Sequence, residues 1–549
     1  MPWIALVGPE FEENLSLRYL ASSLAAAGFQ SEILAFNRPG DLPGVVAAIV
    51  DRDDAQEPPL LVGLSLAFQW RAKDFLALAM ALRAAGYSGH ITAGGHFATF
   101  ACRELLRDFP ELDSICRQES EETLVEVARA LVAGSPLTSI AGLALRGEQG
   151  EPVLTGDPAL PDLERLPWPD RRGRPASCFG HGIAPLVGSR GCYANCSFCC
   201  IAAWHEQSLP GKRYRLRDVE DIADEMVALE RERGVEVFVF HDDNFFLPGH
   251  RRNVERLSAL ADALEARGIG RFATVVKARP TDVDPEVFRI LRHRLHCIRT
   301  YVGVETDADQ GLMTLNRWAH SKQNHRAIEV VRELGLYTCF NLLLFDPDTT
   351  LADLERNLTF IRAAAEFPFN FGRVELYAGT PLLGRMQLEE RCWGDYLQWD
   401  YELASPEVAR VYRLTMTCFH ARNFGDGALA NNLMGTRFDV EVARHFHPDV
   451  FRPEWLARGQ ALSQALSHDT ADGLAAIVGR VKGGAPAADD DAFCVELSAR
   501  LRAREETLSR EARALAQDMA ATLGRGRPLT EIGDLVATPL QDARTEVMP

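Results

Sequence analysis

A short run of cysteines constrains this chain more than any other feature of its sequence. Cys192, Cys196 and Cys199 stand in the run Gly-Ser-Arg-Gly-Cys-Tyr-Ala-Asn-Cys-Ser-Phe-Cys-Cys, which has the spacing C-x3-C-x2-C. Three thiolates at this spacing can bind three irons of a four-iron cluster and leave the fourth iron open. The run therefore predicts an iron–sulfur site with one free corner.

Two other kinds of site also use clustered cysteines. A structural zinc ion takes four ligands, and Cys200 could supply the fourth, but adjacent residues rarely converge on one tetrahedral ion. A disulfide framework needs paired cysteines, whereas the remaining ones lie singly along the chain, at Cys102, Cys116, Cys178, Cys297, Cys339, Cys392, Cys418 and Cys494. That scatter indicates buried thiols in a reducing compartment.

Length and charge restrict the class of protein. A chain of 549 residues with 47% hydrophobic content predicts three or four domains with sizeable cores. The N-terminus lacks the features of a signal peptide and no long apolar run occurs, so we expect a cytoplasmic protein without a membrane partner. The net charge of −18 argues against a nucleic-acid partner. A local basic patch at Lys212, Arg213, Arg215 and Arg217 suits a solvated face or a contact to one cofactor phosphate.

The first 146 residues alternate short β-rich runs with amphipathic stretches. The runs lie at 3–7, 31–35, 60–65, 90–93 and 113–116. This rhythm predicts a doubly wound parallel sheet, in which ligands lie outside the carboxyl ends of the strands.

The loops that follow these strands carry the candidate ligand contacts. They contain Ser65-Leu66-Ala67-Phe68-Gln69, Gly94-Gly95-His96-Phe97-Ala98-Thr99 and Glu119-Ser120-Glu121. Paired glycines let the backbone approach a ligand closely, and a helix N-terminus offers free N–H groups. Each loop alone is also compatible with an ordinary tight turn.

The rest of the chain divides into three further regions. Residues 147–182 are polar and rich in proline and glycine, which predicts a linker. Residues 183–395 show six alternations of strand and helix, which predict a partial parallel barrel with the cysteines after its first strand, at the end where catalytic groups lie. Residues 396–549 predict a mainly helical domain without a catalytic motif, with helical segments at 406–422, 440–445, 453–465 and 496–523, a flexible piece at 482–491 and loosely ordered final residues.

These motifs together resemble the cobalamin-dependent radical S-adenosylmethionine (SAM) enzymes. The cysteine spacing with Phe198 before the last ligand is similar to the radical SAM signature, and the serine, Gly-Gly-x-x-x-Thr and glutamate loops resemble the cobalamin-binding domain of that subclass. The resemblance implies an α/β fold: a Rossmann-like cobalamin-binding domain at 1–146, a partial (β/α)6 radical SAM barrel at 183–395 and a mainly helical domain at 396–549. One departure is the missing Asp-x-His-x-x-Gly loop, so no histidine of that motif binds the cobalt.

The resemblance also implies site residues. The cluster ligands are Cys192, Cys196 and Cys199; the candidate cobalamin contacts are Ser65, Phe68, Gln69, Gly94, Gly95, His96, Thr99, Glu119 and Glu121; the candidate SAM contacts are Phe198, Asp243, Asn244, Lys277, Glu305, Asn341 and Tyr377. For Glu305 a salt bridge with Arg299 or Lys277 is the alternative, and for Tyr377 simple packing. We expect Asp348 and Thr349 to cap the following helix.

The function implied by the resemblance uses a 4Fe-4S cluster, SAM and cobalamin. It is a methyltransferase that moves a methyl group from SAM, via methylcobalamin, to a carbon of a small-molecule or peptide substrate in specialised metabolism. An electron donor such as flavodoxin or ferredoxin would be needed. The alternatives are a cobalamin-dependent cyclase or ring-rearranging enzyme, and a cluster and corrin module for sensing or electron transfer. No sequence feature separates methylation from cyclisation or rearrangement.

Overall fold

The fold is that of a computed structural model, which describes residues 2–51, 58–147, 150–208, 214–425 and 427–524. Its strands are β1 (Trp3–Gly8), β2 (Gln30–Ala35), β3 (Leu61–Ser65), β4 (His90–Gly94), β5 (Ser114–Cys116), β6 (Leu143–Arg146), β7 (Pro152–Leu154), β8 (Ala176–Cys178), β9 (His181–Leu186), β10 (Ser189–Gly191), β11 (Tyr214–Leu216), β12 (Val235–Phe240), β13 (Ala273–Ala278), β14 (Cys297–Glu305), β15 (Tyr337–Phe345), β16 (Phe369–Arg373), β17 (Cys392–Asp395) and β18 (Gln398–Tyr401).

The α-helices alternate with these strands in the first two thirds of the chain and dominate the last third. They are α1 (Leu15–Ala26), α2 (Leu42–Val50), α3 (Ala72–Ala84), α4 (His96–Phe100), α5 (Cys102–Asp108), α6 (Glu121–Ala133), α7 (Cys200–Ser208), α8 (Val219–Arg233), α9 (His250–Arg267), α10 (Pro285–His293), α11 (Asp309–Thr314), α12 (Ser321–Glu333), α13 (Leu351–Ala363), α14 (Pro381–Leu388), α15 (Pro406–Asn423), α16 (Leu429–Phe446), α17 (Pro453–Lys482) and α18 (Asp490–Leu523). None of the helices in the described ranges is long and apolar enough to cross a membrane.

The chain forms two compact units that are not contiguous in sequence. The first unit contains Met1–Arg174, Arg190–Asp218 and Glu375–Asp400; the second contains Pro175–Ser189, Val219–Val374 and Tyr401–Pro549. The cysteine run thus belongs to the same unit as the N-terminal sheet. The domain boundaries expected from the sequence remain predictions.

The first unit is built on a seven-stranded sheet in the order β2-β1-β3-β4-β5-β6-β7. β1 to β5 are parallel, as predicted, and β6 and β7 add an antiparallel edge. Both faces are buried, because alternate residues of β1 point into different cores: Ile4 packs with α1 and α6, and Val7 with α2 and α3. Burial on both faces is the usual state of a parallel sheet, so the predicted doubly wound architecture is confirmed.

The second unit contains a seven-stranded sheet in the order β16-β15-β14-β13-β12-β9-β8. Its six parallel strands confirm the predicted partial barrel, and β8 pairs antiparallel with β9 at one edge. The sixth strand was expected at 373–377 but lies at Phe369–Arg373. Phe369 and Phe371 are buried in this unit, whereas Glu375–Asp400 belong to the first unit.

The C-terminal helices confirm the expected helical region but are longer than predicted. α16, α17 and α18 form one apolar core with strands of the half-barrel, which includes Trp455, Phe438 and Leu515. The stretch at 482–491, whose flexibility stays a prediction, contains the end of α17 at Lys482 and the start of α18 at Asp490. The expected loose ordering of the final residues concerns positions outside the described residues.

Candidate functional site

The three predicted cluster ligands lie on one tight loop between β10 and α7. Cys199 N donates to Cys196 O at 3.2 Å, and Ala194 N donates to the Cys192 sulfur at 3.4 Å. Cys200 is the first residue of α7, so its backbone is already helical. The loop therefore folds back on itself over the three ligand positions.

The donor set of this loop fits an iron–sulfur cluster. Burial raises the pKa of Cys199 well above its usual value, and negative charge on Cys200, Cys196 and Cys192 raises it further, so the sulfurs lie close enough to influence one another. A bound metal cation reverses such a shift by deprotonating the coordinating thiol. No disulfide joins any of the cysteines, all of which lie in the described residues.

The same thiols do not converge on one point. Within the described ranges, no group of three or more His, Cys, Asp or Glu side chains is placed to hold a single metal ion. A tetrahedral zinc site requires such convergence. A cluster does not, because each thiolate binds a different iron.

Of the predicted cobalamin contacts in the loop after β3 (the β3 loop), one is exposed and one is buried. Phe68 is 43% exposed, and its ring lies 6.2 Å from that of Trp70. Gln69 is buried: its Nε2 donates to Leu376 O at 3.2 Å and its Oε1 accepts from Ala378 N at 3.0 Å. Phe68 is therefore available to a ligand, whereas Gln69 already binds the backbone of residues 376–378.

The β4 loop approaches the β3 loop closely. Gly95 has φ 108°, and a Cβ on it would lie 2.8 Å from Ala67 Cα. Thr99 Oγ1 accepts from Gln118 N at 2.9 Å, which links this loop to the end of β5. His96 packs against Trp204 of α7 with ring centroids 4.7 Å apart. Ser65 lies at the end of β3, beside Gly94 in the sheet register.

The two predicted glutamates of the loop after β5 (the β5 loop) form ion pairs with arginines of residues 190–218, the segment that contains the cysteines (the cysteine segment). Glu119 and Glu121 each lie 2.6 Å from a guanidinium nitrogen of Arg190, and Glu119 also binds Arg215. Burial alone would lower the pKa of Arg190, but the charges of Glu121 and Glu119 raise it above its usual value. Arg215 is therefore not part of a solvated face. Lys212 and Arg213 of the expected basic patch lie outside the described residues.

The segment after β16 also contacts this region of the first unit. Gly379 has φ 77° and lies against Phe100, whose ring would be 2.1 Å from a Cβ at this position. Leu382 N donates to Ser197 O at 2.8 Å, directly before Phe198. Tyr377, a predicted SAM contact, is half-buried, and its carbonyl accepts from Thr380 Oγ1 at 2.7 Å. The segment thus brings Tyr377 and the cysteine loop into one unit.

In the second unit, β14 presents Glu305 at its C-terminal end. Glu305 has φ 63°, a conformation rare for residues with a side chain. Its carboxylate lies 3.9 Å from Arg317, which donates to Gly303 O at 2.5 Å. Burial raises the pKa of Glu305, while Arg317 and Arg279 lower it. Its ionic partner is therefore Arg317 rather than Arg299 or Lys277.

Alternate residues of β14 line one face of the half-barrel, and the sequence analysis missed one of them. Tyr301 and Glu305 are partly exposed, whereas Val302 and Val304 between them are buried. Tyr301 stands beside Lys277 of β13 in the register, and its pKa is raised by burial and by the charges of Cys339 and Glu305. The signal available in the sequence was the alternation of Val302 and Val304 with Tyr301, Gly303 and Glu305.

The loop after β12 also differs from the expectation in detail. Asp243 is exposed, and Asn244 is buried with its Nδ2 donating to Phe246 O at 2.6 Å. The neighbouring Asp242 accepts from Gly188 N at 3.0 Å and from Ser189 Oγ at 2.5 Å. Asp242, which was not singled out, therefore fixes the end of the strand that leads to the cysteines.

The remaining predicted contacts lie on β13 and β15. Lys277 and Asn341 are partly exposed, and Asn341 pairs in register with Asn370 of β16. The expected helix cap after β15 is wrong by one residue. Thr350, not Asp348 or Thr349, caps α13, because Thr350 Oγ1 accepts from Asp353 N. Thr349 instead donates to Asp346 at 2.9 Å.

Comparison with known proteins agrees with the predictions for the N-terminal sheet and for the half-barrel. Residues 4–128 match the B12 binding domain, and residues 186–361 match the radical SAM superfamily. The chain belongs to the cobalamin-binding radical SAM enzymes. Such an enzyme uses a four-iron cluster, SAM and cobalamin, and the thiol loop described above fits the first of these.

Curated relatives of this radical SAM enzyme have several activities. An uncharacterized methyltransferase of Pyrococcus horikoshii is 24% identical over 60% of the chain and 72% of its own length. Hopanoid C-3 methylase of Methylococcus capsulatus is 26% identical over 61% of each protein. Anaerobic magnesium-protoporphyrin IX monomethyl ester cyclase of Cereibacter sphaeroides is 28% identical over 45% of the chain and 40% of its own length. The chain thus spans less than two thirds of the methylase and of the cyclase.

A solved structure shares the fold of this radical SAM enzyme. It is the cobalamin-dependent S-adenosylmethionine radical enzyme OxsB with aqua-cobalamin and SAM bound, at a TM-score of 0.66 and 17% identity. The match covers 95% of this chain and 81% of OxsB. At this identity the likeness shows the fold, including the helical C-terminal region.

Proposed function

We propose that this enzyme transfers a methyl group from SAM to a carbon of a small-molecule or peptide substrate. The observation that carries the proposal is the joining of the cysteine loop and the B12 binding sheet in one compact unit. Two of the relatives described above are named as methyltransferase and methylase. A flavodoxin or ferredoxin as electron donor and a cytoplasmic location complete the proposal, and neither a nucleic acid nor a membrane is part of it.

When bound, the cluster supplies the electron that cleaves SAM and cobalamin supplies a site that carries the methyl group. The chain's own residues are proposed to bind and orient these groups. The loop of Cys192, Cys196 and Cys199 provides thiolates for three irons and leaves the fourth open for the amine and carboxylate of SAM. Phe68, exposed at the end of β3, offers an apolar face to the corrin. Gly95 removes the side chain that would block the backbone there.

In the second unit, the proposed SAM contacts surround the end of β14. Glu305 offers a carboxylate to the amine or ribose hydroxyls of SAM, and Arg317 compensates its charge. Lys277 is proposed to meet the SAM carboxylate, with Asn341 as a hydrogen-bond partner. Asp243, Asn244, Phe198 and Tyr377 remain proposed contacts to SAM.

The proposal is tested by following both fragments of SAM. Loss of a methyl group leaves S-adenosylhomocysteine, whereas reductive cleavage leaves methionine and 5′-deoxyadenosine. We expect the reconstituted protein with SAM, a reductant and cobalamin to form S-adenosylhomocysteine only when cobalamin is present. With SAM labelled in its methyl group, extracts of small molecules and peptides should contain a product heavier by that label.

A cyclase or ring-rearranging activity is the second candidate, since a cyclase is among the relatives. It predicts 5′-deoxyadenosine without cobalamin-dependent S-adenosylhomocysteine and a product without the label. That outcome would contradict methyl transfer. A sensor or electron-transfer module predicts no SAM cleavage at all.

A further inference from the structure

One buried carboxylate ties together both ends of the cysteine segment. Glu119 Oε2 accepts from Arg190 at 2.6 Å, and Glu119 Oε1 accepts from Arg215. Arg190 lies two residues before Cys192, and Arg215 lies on β11, beyond α7. Because both oxygens of Glu119 are engaged, the entrance and the exit of the segment are fixed to the same point of the β5 loop.

Arg190 has two further contacts that fix its orientation. Glu121 Oε1 accepts from its second terminal nitrogen at 2.6 Å, and its guanidinium lies 5.0 Å from the centre of the Tyr19 ring. The side chains of Glu119 and Glu121 are 4% and 7% exposed. A planar guanidinium can bind two carboxylates and stack on a ring at once, which a lysine ammonium cannot do.

The first turns of α7 are held beside the same carboxylate. His205 Nδ1 lies 4.0 Å from Glu119 Oε1, and the neighbouring Trp204 packs on His96 of the β4 loop. Residues before and after the cysteine loop are thus both held by side chains from the loops of the N-terminal sheet. Removing one member of such a buried charge set leaves the others uncompensated, which is strongly destabilising locally.

We propose that Glu119 is a positioning residue of the iron–sulfur cluster, which acts through Arg190 and Arg215 to hold the cysteine loop, and not a cobalamin contact as the sequence suggested. Glu121 supports it through Arg190. The proposal goes beyond methyl transfer and does not depend on it, because any reaction of this enzyme needs the cluster. Its failure and that of methyl transfer are therefore distinguishable.

The test compares Glu119→Gln with Glu122→Gln. Glu122 is exposed on the same turn and serves as the matched control. After anaerobic reconstitution, iron and sulfide per chain, the electron paramagnetic resonance signal of the reduced cluster, and retained cobalamin are measured. We expect Glu119→Gln to bind the cluster ~10-fold more weakly with a broadened signal, as for lost supporting partners of metal ligands. It should retain cobalamin like the wild type, and Glu122→Gln should behave as the wild type in all three.

Three arginine variants keep the test decisive if Glu119→Gln does not fold. Arg215→Lys leaves both contacts of Arg190 in place, so its fold is retained, and we expect a smaller loss of iron. Arg190→Lys, which keeps the charge, should retain more iron than Arg190→Met. Wild-type iron content and signal in these variants would overturn the proposal. Loss of cobalamin equal to or greater than the loss of iron would overturn it as well.

Discussion

At the scale of single residues, Cys192, Cys196 and Cys199 are the proposed cluster ligands and Cys200 is proposed not to bind the cluster. Cys200 neighbours Cys199 in sequence but begins α7, where its direction is fixed by the helix. We predict that Cys192→Ala, Cys196→Ala and Cys199→Ala each lower the iron content after reconstitution to background, because a three-thiolate site cannot spare a ligand. Cys200→Ala should keep the wild-type iron content and spectrum. Iron loss in Cys200→Ala would contradict this assignment.

Glu305 is proposed to bind SAM, but its burial makes it a source of instability in the folded protein. Because burial raises its pKa, the ionised form is disfavoured in the folded protein. We predict that Glu305→Gln weakens SAM binding ~10-fold, about the loss of one charged hydrogen bond, while the unfolding temperature of the apo protein stays equal or rises. Titration calorimetry with SAM and thermal unfolding check the two halves, with exposed Glu333→Gln as control. Unchanged SAM affinity would remove Glu305 from the site.

How far single residues could be predicted depended on how local their partners are. The cysteine ligands remain a prediction, which the sequence allows because their spacing is contained in one short run. Glu119 and Arg190 are 71 residues apart, and no local pattern announces their pairing. Gln69 looked like a ligand contact because it follows a strand, but its partners lie 307 and 309 residues further along the chain.

At the scale of elements, the approach of two loops depends on one glycine. A Cβ at Gly95 would lie within 3.0 Å of three backbone atoms of Leu66 and Ala67, and its φ of 108° is unfavourable for other residues. We predict that Gly95→Ala abolishes cobalamin retention while the cluster still assembles. Gly86→Ala is the control: it also has positive φ, at 89°, but nothing within 4 Å of its Cβ. Cobalamin absorbance after desalting is the measurement, and equal retention in both variants would refute the steric argument.

The N-terminus of α18 is joined to two other helices by Asp490. Hydrogen bonds from Arg410 of α15 and Arg480 of α17 lower the pKa of Asp490 from 3.8 to about 2. The ionised form therefore stabilises the fold above pH 4, and this contribution disappears as the pH falls from about 4 to about 2.

We predict that Asp490→Asn lowers the free energy of unfolding of the apo protein by about 1–2 kcal/mol at pH 7, after allowance for solvent screening. The difference from the wild type should be roughly halved at pH 3. Urea unfolding at both pH values checks it, with the exposed Asp491→Asn as control. A difference independent of pH would show that the charge of Asp490 is not the cause.

The local sequence pattern predicted which strands and helices form better than it predicted where each one begins and ends. The five parallel strands of the first sheet were predicted within one residue because each is a short apolar run bounded by turn residues, whereas β6 and β7 were not predicted. The sixth barrel strand was placed four residues late, because Glu375–Tyr377 also alternates but joins the other unit. Helix α16 was predicted to begin eleven residues late, because Asn431, Asn432 and Gly435 in its first turns have low helix propensity.

At the scale of the whole molecule, the chain order and the compact units differ. The cysteine run interrupts the second unit in sequence but packs with the N-terminal sheet, and residues 375–400 return to the same unit. Composition and periodicity cannot announce such an exchange, because it depends on contacts between distant segments. This arrangement explains why the cysteine segment and the β5 loop are joined by buried ion pairs.

The central claim is that one chain holds an iron–sulfur cluster and cobalamin together. The most direct measurement is the iron and cobalt content and absorbance spectrum of the protein after anaerobic reconstitution with iron, sulfide and cobalamin, followed by desalting. We expect about four irons and one cobalt per chain, with both chromophores present. A full cluster without retained cobalt would contradict it.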